Sequence, residues 1–406
     1  MTFKPAERID AEELALRQHR VRTALADICP KAEGLLVFSR LNLYYLAGTL
    51  GAGVLWLPQD GEPVLLLRRG VERARLESSL QNILEYRSFS QLADLCREAG
   101  SPLGKVCGAE MSGLTWSLAQ LLTSRLPDVE FCNGDLALNR ARSVKTEWEL
   151  TKLRLAGARH YQSLYQMLPG RIHAGMSERE ISHKAWEVFF ELGHSGNLRM
   201  SDQDIFLGHV AAGESANYPS HFNGPVGLIG EHPAVPYMGY AGAVWKQNEP
   251  LACDIGFCLE GYQTDKTQVY WSGTRASIPD TVARAHDLCV QVQQYAAENL
   301  RPGGIPSEIY ATSLQMAEKA GFAEGFMALG SNKVPFLGHS IGLLVDEWPV
   351  IAKGFDAPFE EGMVFALEPK IGIEGLGMVG VENTFEITAN GGVCITGDRY
   401  EIICLE

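Results

Sequence analysis

The first third of the chain alternates short apolar runs with amphipathic segments. Residues 11–27 carry apolar residues at helical spacing among charged ones, which predicts a helix. Apolar runs predict strands at 34–39, 53–58, 63–68, 105–111 and 129–133. Amphipathic segments predict further helices at 72–79, 90–99 and 115–126. Because strands alternate with helices, residues 1–137 are predicted to form a mixed α/β domain.

Residues 138–406 show a second pattern, with longer helices and longer strands. Helical spacing predicts helices at 147–166, 177–192, 281–300 and 307–320. Strand-like runs predict strands at 204–210, 362–370 and 378–388. Thr146 and Glu149 have the spacing of a capping box at the start of the first of these helices. We expect a second α/β domain over residues 138–406.

One stretch of this second domain carries candidate chemistry. Asp254 follows an apolar run and Asp265 precedes a β-prone run, with Glu260-Gly261 between them. This pattern predicts a hairpin whose two strands bring both carboxylates close together. Close like charges repel, and a bound cation relieves the repulsion. On its own, the stretch is equally compatible with a solvated hairpin that carries two surface acids.

Three further polar residues lie in apolar or β-prone runs. His339 stands between Gly338 and Gly342 in an apolar setting, Glu368 ends an apolar run, and Glu382 lies within a strand-like segment. Asp and Glu are rarely buried unless they are paired or bind metal. Four carboxylates and one imidazole suit two bridged divalent ions, with Mn, Fe, Co and Zn all possible.

These residues and their flanks resemble one known family. The order Asp254, Asp265, His339, Glu368, Glu382, with the flanks Gly-His-x-Ile-Gly and Glu-Pro, is similar to that of the pita-bread metallopeptidases, which include aminopeptidase P, prolidase and creatinase. The resemblance covers nearly the whole chain. It implies an α/β (α+β) protein, with a creatinase/prolidase-type amino-terminal domain before a pita-bread domain. It also implies that all five residues bind two metal ions, with Mn favoured, and that Glu368 acts as general base.

The chain departs from the family at two positions. The peptidases usually carry two more histidines near the metals, and here Tyr237 and Asp346 stand where those histidines are expected. Both are therefore candidate catalytic residues. An ionised Asp accepts hydrogen bonds and cannot donate them, so the change would weaken ordinary peptide hydrolysis. The chain also has lone histidines that are more often surface or hydrogen-bonded residues than ligands: His209, His221 and His232.

Three functions therefore compete. The first is an Xaa-Pro aminopeptidase or dipeptidase, which the amino-terminal domain favours. The second is a metal-dependent hydrolase or lyase of a small non-peptide metabolite, which Tyr237 and Asp346 favour. The third is a non-catalytic binding protein, which the retention of all five candidate ligands disfavours.

Composition and net charge limit the class of protein, its possible partners and its expected location. The chain has 406 residues, 46% of them hydrophobic and 21% charged, as expected for a folded globular protein. A net charge of -14 argues against nucleic acid as a partner. No apolar run suits a membrane span or a signal peptide, and the nine cysteines have no Cys-x-x-Cys motif. We expect a cytoplasmic protein with free thiols that acts on a small peptide or small molecule. The resemblance further implies that the protein forms a homodimer.

Overall fold

The protein contains two compact units. Its structure is a computed structural model that describes residues 3–201, 204–205 and 208–406. The units span Met1–Arg142 and Ser143–Glu406. The domain boundary predicted between residues 137 and 138 falls inside the helix Asp135–Ser143. The division of the chain into two functional domains at that point stays a prediction.

The amino-terminal unit is an α/β domain built on one sheet. Its helices are α1 Ala11–Ile28, α2 Arg40–Ala47, α3 Val71–Glu77, α4 Leu92–Glu98, α5 Trp116–Arg125 and α6 Asp135–Ser143. Its strands are β1 Gly34–Val37, β2 Gly53–Pro58, β3 Val64–Leu67, β4 Asn82–Glu85, β5 Val106–Ala109 and β6 Glu130–Asn133. They form a sheet in the order β4-β3-β2-β1-β5-β6, with the predicted hairpin between β2 and β3. Buried Trp56, Leu66 and Phe89 lie in its apolar core.

The carboxy-terminal unit has more strands. Its helices are α7 Glu147–Tyr161, α8 Glu178–Glu191, α9 Asp280–Asn299 and α10 Pro306–Lys319. Its first strands are β7 Leu198–Arg199, β8 Asp204–Ile205, β9 Gly208–Ala212, β10 Pro250–Leu259 and β11 Tyr262–Ser272. Its later strands are β12 Phe336–Ser340, β13 Glu347–Ala352, β14 Val364–Leu367, β15 Lys370–Ile373, β16 Gly377–Gly380, β17 Asn383–Thr388, β18 Gly391–Cys394 and β19 Ile403–Leu405. Residues 206–207 of the predicted strand 204–210 lie outside the described residues.

The predicted capping box is present at the start of α7. The Thr146 hydroxyl accepts from the Glu149 backbone N–H, and the Glu149 carboxylate accepts from the Thr146 N–H. These contacts satisfy two of the backbone donors that a helix leaves free at its first turn. They fix the point at which the helix begins.

Strands β10 and β11 form the predicted hairpin. Glu260 and Gly261 have φ angles of 52° and 88°, the backbone of a two-residue hairpin turn that matches the twist of the strands. Asp254 pairs with Thr267, and Asp265 pairs with Gly256. Because side chains alternate between the faces of a strand, Asp254 and Asp265 share one face of the hairpin.

A second sheet supplies the other candidate ligands. Its strand order is β13-β12-β14-β17-β18, and His339 lies in β12. The two long strands predicted here are each broken at an acid. Glu368 follows β14, where Pro369 has no N–H for the ladder. Glu382 lies between β16 and β17, and its carbonyl accepts from the Thr267 N–H of the hairpin at 3.2 Å.

Apolar packing covers both sheets of this unit. One cluster joins α9 to the second sheet through residues such as Val292, Phe365 and Phe385. The other packs α8 against the hairpin through Phe189 and Phe257. Among the described residues, no helix combines the length and apolarity needed to cross a bilayer.

We predict that Gly338→Ala destabilises the protein, because a Cβ at position 338 would lie 2.2 Å from the Ala366 carbonyl oxygen. Strands β12 and β14 would have to separate, and we expect a loss of roughly 1–3 kcal/mol in the free energy of unfolding. The control is Gly170→Ala, where a Cβ meets nothing within 4 Å. The measurement is urea unfolding followed by circular dichroism. Equal midpoints for the two variants would contradict the prediction.

Candidate metal centre

The structure brings the five predicted ligands into one cluster. Ligand atoms of Asp265, His339 and Glu382 all lie within 4.8 Å of one another. Glu368 joins them, with its Oε1 3.6 Å from His339 Nε2. Asp254 lies on the same hairpin face as Asp265. A set of buried and half-buried carboxylates and one buried imidazole is therefore assembled from both sheets.

Thr267 ties two of these acids together. Its hydroxyl oxygen lies 2.7 Å from Asp254 Oδ1 and 3.0 Å from Glu382 Oε2. Thr384 also joins the sheets, since its hydroxyl donates to the Asp265 carbonyl and accepts from the Asp265 N–H, each at 2.9 Å. These contacts hold the hairpin against the segment that carries Glu382.

Sequence reasoning missed Lys370, which lies among the acids. Its Nζ donates to Glu382 Oε2 at 2.6 Å and to Glu368 Oε2 at 3.2 Å, and it lies 3.7 Å from Asp254 Oδ2. The side chain is only 1% exposed. The available signal was a lysine two residues after a predicted ligand, at the start of an apolar, β-prone run. Buried lysines are rare unless they are paired.

Burial and mutual repulsion govern the charges of the cluster. Burial, with Asp254 nearby, raises the pKa of Asp265 to about 7. Burial and Asp265 raise the pKa of Glu382 well above its ordinary value. Burial alone would raise the pKa of Asp254, but the Lys370 ammonium and the hydrogen bonds with Glu382 and Thr267 together outweigh it and lower that pKa. The carboxylates raise the pKa of Lys370 against the effect of burial. The acids therefore need positive charge beside them in order to ionise together.

The donor chemistry fits a divalent metal ion. Asp265, His339 and Glu382 offer two carboxylates and an imidazole at a spacing that allows all three to bind one ion. Carboxylate and imidazole ligands suit Mn, Fe, Co and Zn. Asp254 has a different environment, because its two oxygens face Thr267 and Lys370.

A cavity of about 560 Å³ opens beside the cluster. This volume is in the range of small-molecule sites. Its walls are largely apolar, and the aromatic side chains among them are Phe222, Phe336, Trp348 and Phe355. Two oppositely charged side chains, Asp346 and Lys353, line the same cavity. The cavity can therefore hold a molecule with an apolar part and charged ends.

The structure places the two predicted replacements for histidine differently. Asp346 lines the cavity, and its Oδ1 accepts from the Ser201 N–H at 2.8 Å. Tyr237 is not among the described residues that line the cavity. Its ring packs against His221 and Phe222, with centroids 6.2 and 6.3 Å away. Tyr237 therefore lies behind a cavity-lining residue, Phe222, and its catalytic role stays a prediction.

Of the three lone histidines, His209 lies at the site. It pairs with Asp254 across β9 and β10, is 5% exposed and lines the cavity. Its Nε2 has no hydrogen-bond partner among the described residues. Burial lowers the pKa of His209 to about 4, so the imidazole is neutral near pH 7. His221 and His232 are exposed.

Comparisons with known protein families match both parts of the chain. The family described as "Metallopeptidase family M24" matches residues 151–389, more than half of the chain. The "Creatinase/Prolidase N-terminal domain" matches residues 17–144. These matches confirm the predicted resemblance.

Individual relatives match nearly the whole chain. The "Probable dipeptidase PepE" of Mycobacterium tuberculosis is 28% identical, over 98% of each chain. The "Xaa-Pro dipeptidase" of Lactobacillus delbrueckii subsp. lactis is 29% identical, over 70% of this chain and 68% of the relative. The solved Xaa-Pro dipeptidase from Bacillus anthracis has a TM-score of 0.79 at 22% identity, over 97% of this chain and 100% of that one. The fold class predicted from the sequence is confirmed.

We predict that Asp265→Asn weakens metal binding, because it removes one of the three converging donors. Metal that binds only the folded chain stabilises it by about 2.7 kcal/mol at 100 times its Kd. Added Mn²⁺ should therefore raise the melting temperature of the wild type, and a chelator should reverse the rise. Asp265→Asn should lose most of this response.

The control for this experiment is Asp128→Asn, which changes an exposed acid of the amino-terminal unit. It should keep the full metal response. An unchanged response in Asp265→Asn would show that the converging donors do not hold the ion.

Proposed function

Because the chain belongs to metallopeptidase family M24, we propose that it hydrolyses Xaa-Pro dipeptides in a reaction that depends on a divalent metal. The chain is a metallopeptidase by its family. The proline specificity rests on relatives that are named as dipeptidases and Xaa-Pro dipeptidases. The observation that carries the proposal is the buried cluster of carboxylates and histidine at the edge of a largely apolar cavity.

The charged groups of the cavity favour a free dipeptide. An Xaa-Pro dipeptide carries an ammonium at one end, a carboxylate at the other and an apolar ring between them. Asp346 can attract the ammonium and Lys353 the carboxylate, while the aromatic walls take the ring. An interior peptide bond of a longer chain would not offer both charged ends within one cavity.

The metal requirement follows from the family, while the metal count and identity are proposals. Asp265, His339 and Glu382 would hold an ion, and the resemblance adds Asp254 and Glu368 with two ions, manganese favoured. Such an ion supplies a Lewis acid that polarises the scissile carbonyl and lowers the pKa of bound water.

The protein itself supplies a base and a polar contact. Glu368 is the proposed general base that removes a proton from the attacking water. Burial raises the pKa of Glu368, and a carboxylate with a raised pKa holds a transferred proton better. His209 is neutral and buried beside Asp254, and its Nε2, which has no partner among the described residues, can bond to the substrate. We propose that it takes a polar role, and the catalytic role of Tyr237 stays a prediction.

A second function is favoured by Asp346. Its carboxylate lines the cavity where the resembled peptidases carry a histidine, and a carboxylate cannot donate to a tetrahedral intermediate. A cationic amide or amidine of small size would suit this acid. The alternative is therefore hydrolysis or lysis of a small non-peptide metabolite. Binding without catalysis is the third outcome of the same experiment.

The cellular location and the oligomeric state are also proposals. All nine cysteines are free thiols, which supports a reducing cytoplasm. The homodimer is carried over from the resemblance. Size-exclusion chromatography with light scattering would test it.

We predict that the protein cleaves Xaa-Pro dipeptides when Mn²⁺ or Co²⁺ is present and stops when a chelator is added. Glu368→Gln should lower kcat about 10²–10⁴-fold, because the base is lost. Metal content should be measured in the same preparation. A slow variant that keeps its metal supports the base, whereas a slow variant without metal makes Glu368 a ligand. Metal-loaded wild type that cleaves amides or amidines but no Xaa-Pro peptide would contradict the peptidase proposal.

We also predict that Lys353→Met raises KM for an Xaa-Pro dipeptide and leaves KM for its carboxy-terminal amide unchanged. The amide has no carboxylate for the ammonium to attract, so only the free dipeptide loses a contact. An exposed charge pair contributes up to about 1 kcal/mol, so the expected rise in KM is roughly fivefold. Equal effects on both substrates would exclude Lys353 as the carboxylate contact.

A further inference from the structure

We propose that the Lys370 ammonium takes the place of one of the two metal cations, so that the chain binds one divalent ion per site. The inference rests on the proposed metal-dependent function and changes its cation count. Lys370 then becomes a resident positive charge of the site. The single ion is held by Asp265, His339 and Glu382.

The first step is the position of the ammonium. Its Nζ faces three different carboxylates, with oxygens of Glu382 at 2.6 Å, Glu368 at 3.2 Å and Asp254 at 3.7 Å. An ammonium has three donors, and each can be directed at one acid. Three of the five predicted ligands thus already turn an oxygen toward a cation that belongs to the chain.

The second step is how the ligands divide. Asp265, His339 and Glu382 converge on one point. Asp254 uses one oxygen for the Thr267 hydroxyl and turns the other toward Lys370. The cluster therefore has one half suited to a metal ion and one half arranged around the ammonium, and Glu382 belongs to both.

The third step is charge. Ionised Asp254, Asp265, Glu368 and Glu382 carry one negative charge each. One divalent ion and the ammonium leave the site with one negative charge, whereas two divalent ions and the ammonium leave it with one positive charge. A second ion on the oxygens that contact Lys370 would also lie close to the ammonium in a buried site, where repulsion between cations is strong.

The fourth step is that the backbone fixes Lys370 in place. Its strand pairs with β16 through Gly380, and its carbonyl accepts from the Met327 N–H at 2.9 Å. A Cβ on Gly380 would lie 2.6 Å from the Lys370 Cα, and Gly380 has a φ of 144°. The close approach needs glycine at position 380. The backbone position from which the Lys370 side chain extends toward the acids is therefore well determined.

The test is a metal count on the full chain. Wild type, Lys370→Met and Lys353→Met are loaded with excess Mn²⁺, desalted and analysed for manganese per chain. We expect one ion in the wild type and two in Lys370→Met. Lys353→Met removes a lysine from the same cavity without touching the acids, and it should keep one ion. Electron paramagnetic resonance should change from isolated Mn²⁺ to a spin-coupled pair only in Lys370→Met.

Each outcome decides a different claim. Two ions in the wild type, or one ion in both wild type and Lys370→Met, would overturn the role of Lys370 and leave the metal-dependent function standing. No bound manganese in the wild type would contradict the proposed function itself. If circular dichroism shows that Lys370→Met does not fold, Lys370→Gln replaces it in the experiment. The same count of two ions per chain is expected for that variant.

Discussion

The structure depends on the balance between buried negative charge and the cations that compensate it. Asp254, Asp265, Glu368 and Glu382 are gathered where little water reaches, and carboxylates in such a setting take up protons unless positive charge lies nearby. Lys370 supplies part of that charge from within the chain. A divalent ion supplies the rest. The chemistry proposed for the protein follows from this arrangement, because the same crowding that makes the acids costly to ionise makes them bind cations.

The fold serves this cluster by bringing the hairpin and the second sheet into contact beside the acids. The tight turn at Glu260-Gly261 sets the register that places both aspartates on one face of the hairpin. The second sheet contributes His339 from within a strand and both glutamates from the breaks beside its strands. Thr267 and Thr384 join the two sheets through direct hydrogen bonds. Apolar packing lies behind each sheet, so the polar groups are held rigidly where the sheets meet.

Local sequence patterns predicted much of the fold and of the candidate site, and long-range packing determined the remaining features. The hairpin and the capping box at Thr146 follow from turn chemistry and spacing that lie close in sequence, and the resemblance to a known family implied the five ligand residues. The break at Glu382 depends on its contact with Thr267 of the hairpin, so the sequence predicted a longer strand there. The break after Glu368 has a local cause, because Pro369 has no N–H for the ladder. Lys370 was missed as a site residue, and His209 was not distinguished from His221 and His232, because a single lysine or histidine carries little local pattern. Their roles arise only when Gly380 and Asp254 come to lie beside them.

The central claim is that the acids hold one divalent ion and one lysine ammonium. Crystals of the Mn²⁺-loaded wild type, measured at the manganese absorption edge, test it most directly. The account predicts one anomalous peak per chain between Asp265, His339 and Glu382, with Lys370 still in contact with Glu382. Two peaks of similar height, with the lysine side chain displaced from the acids, would contradict it.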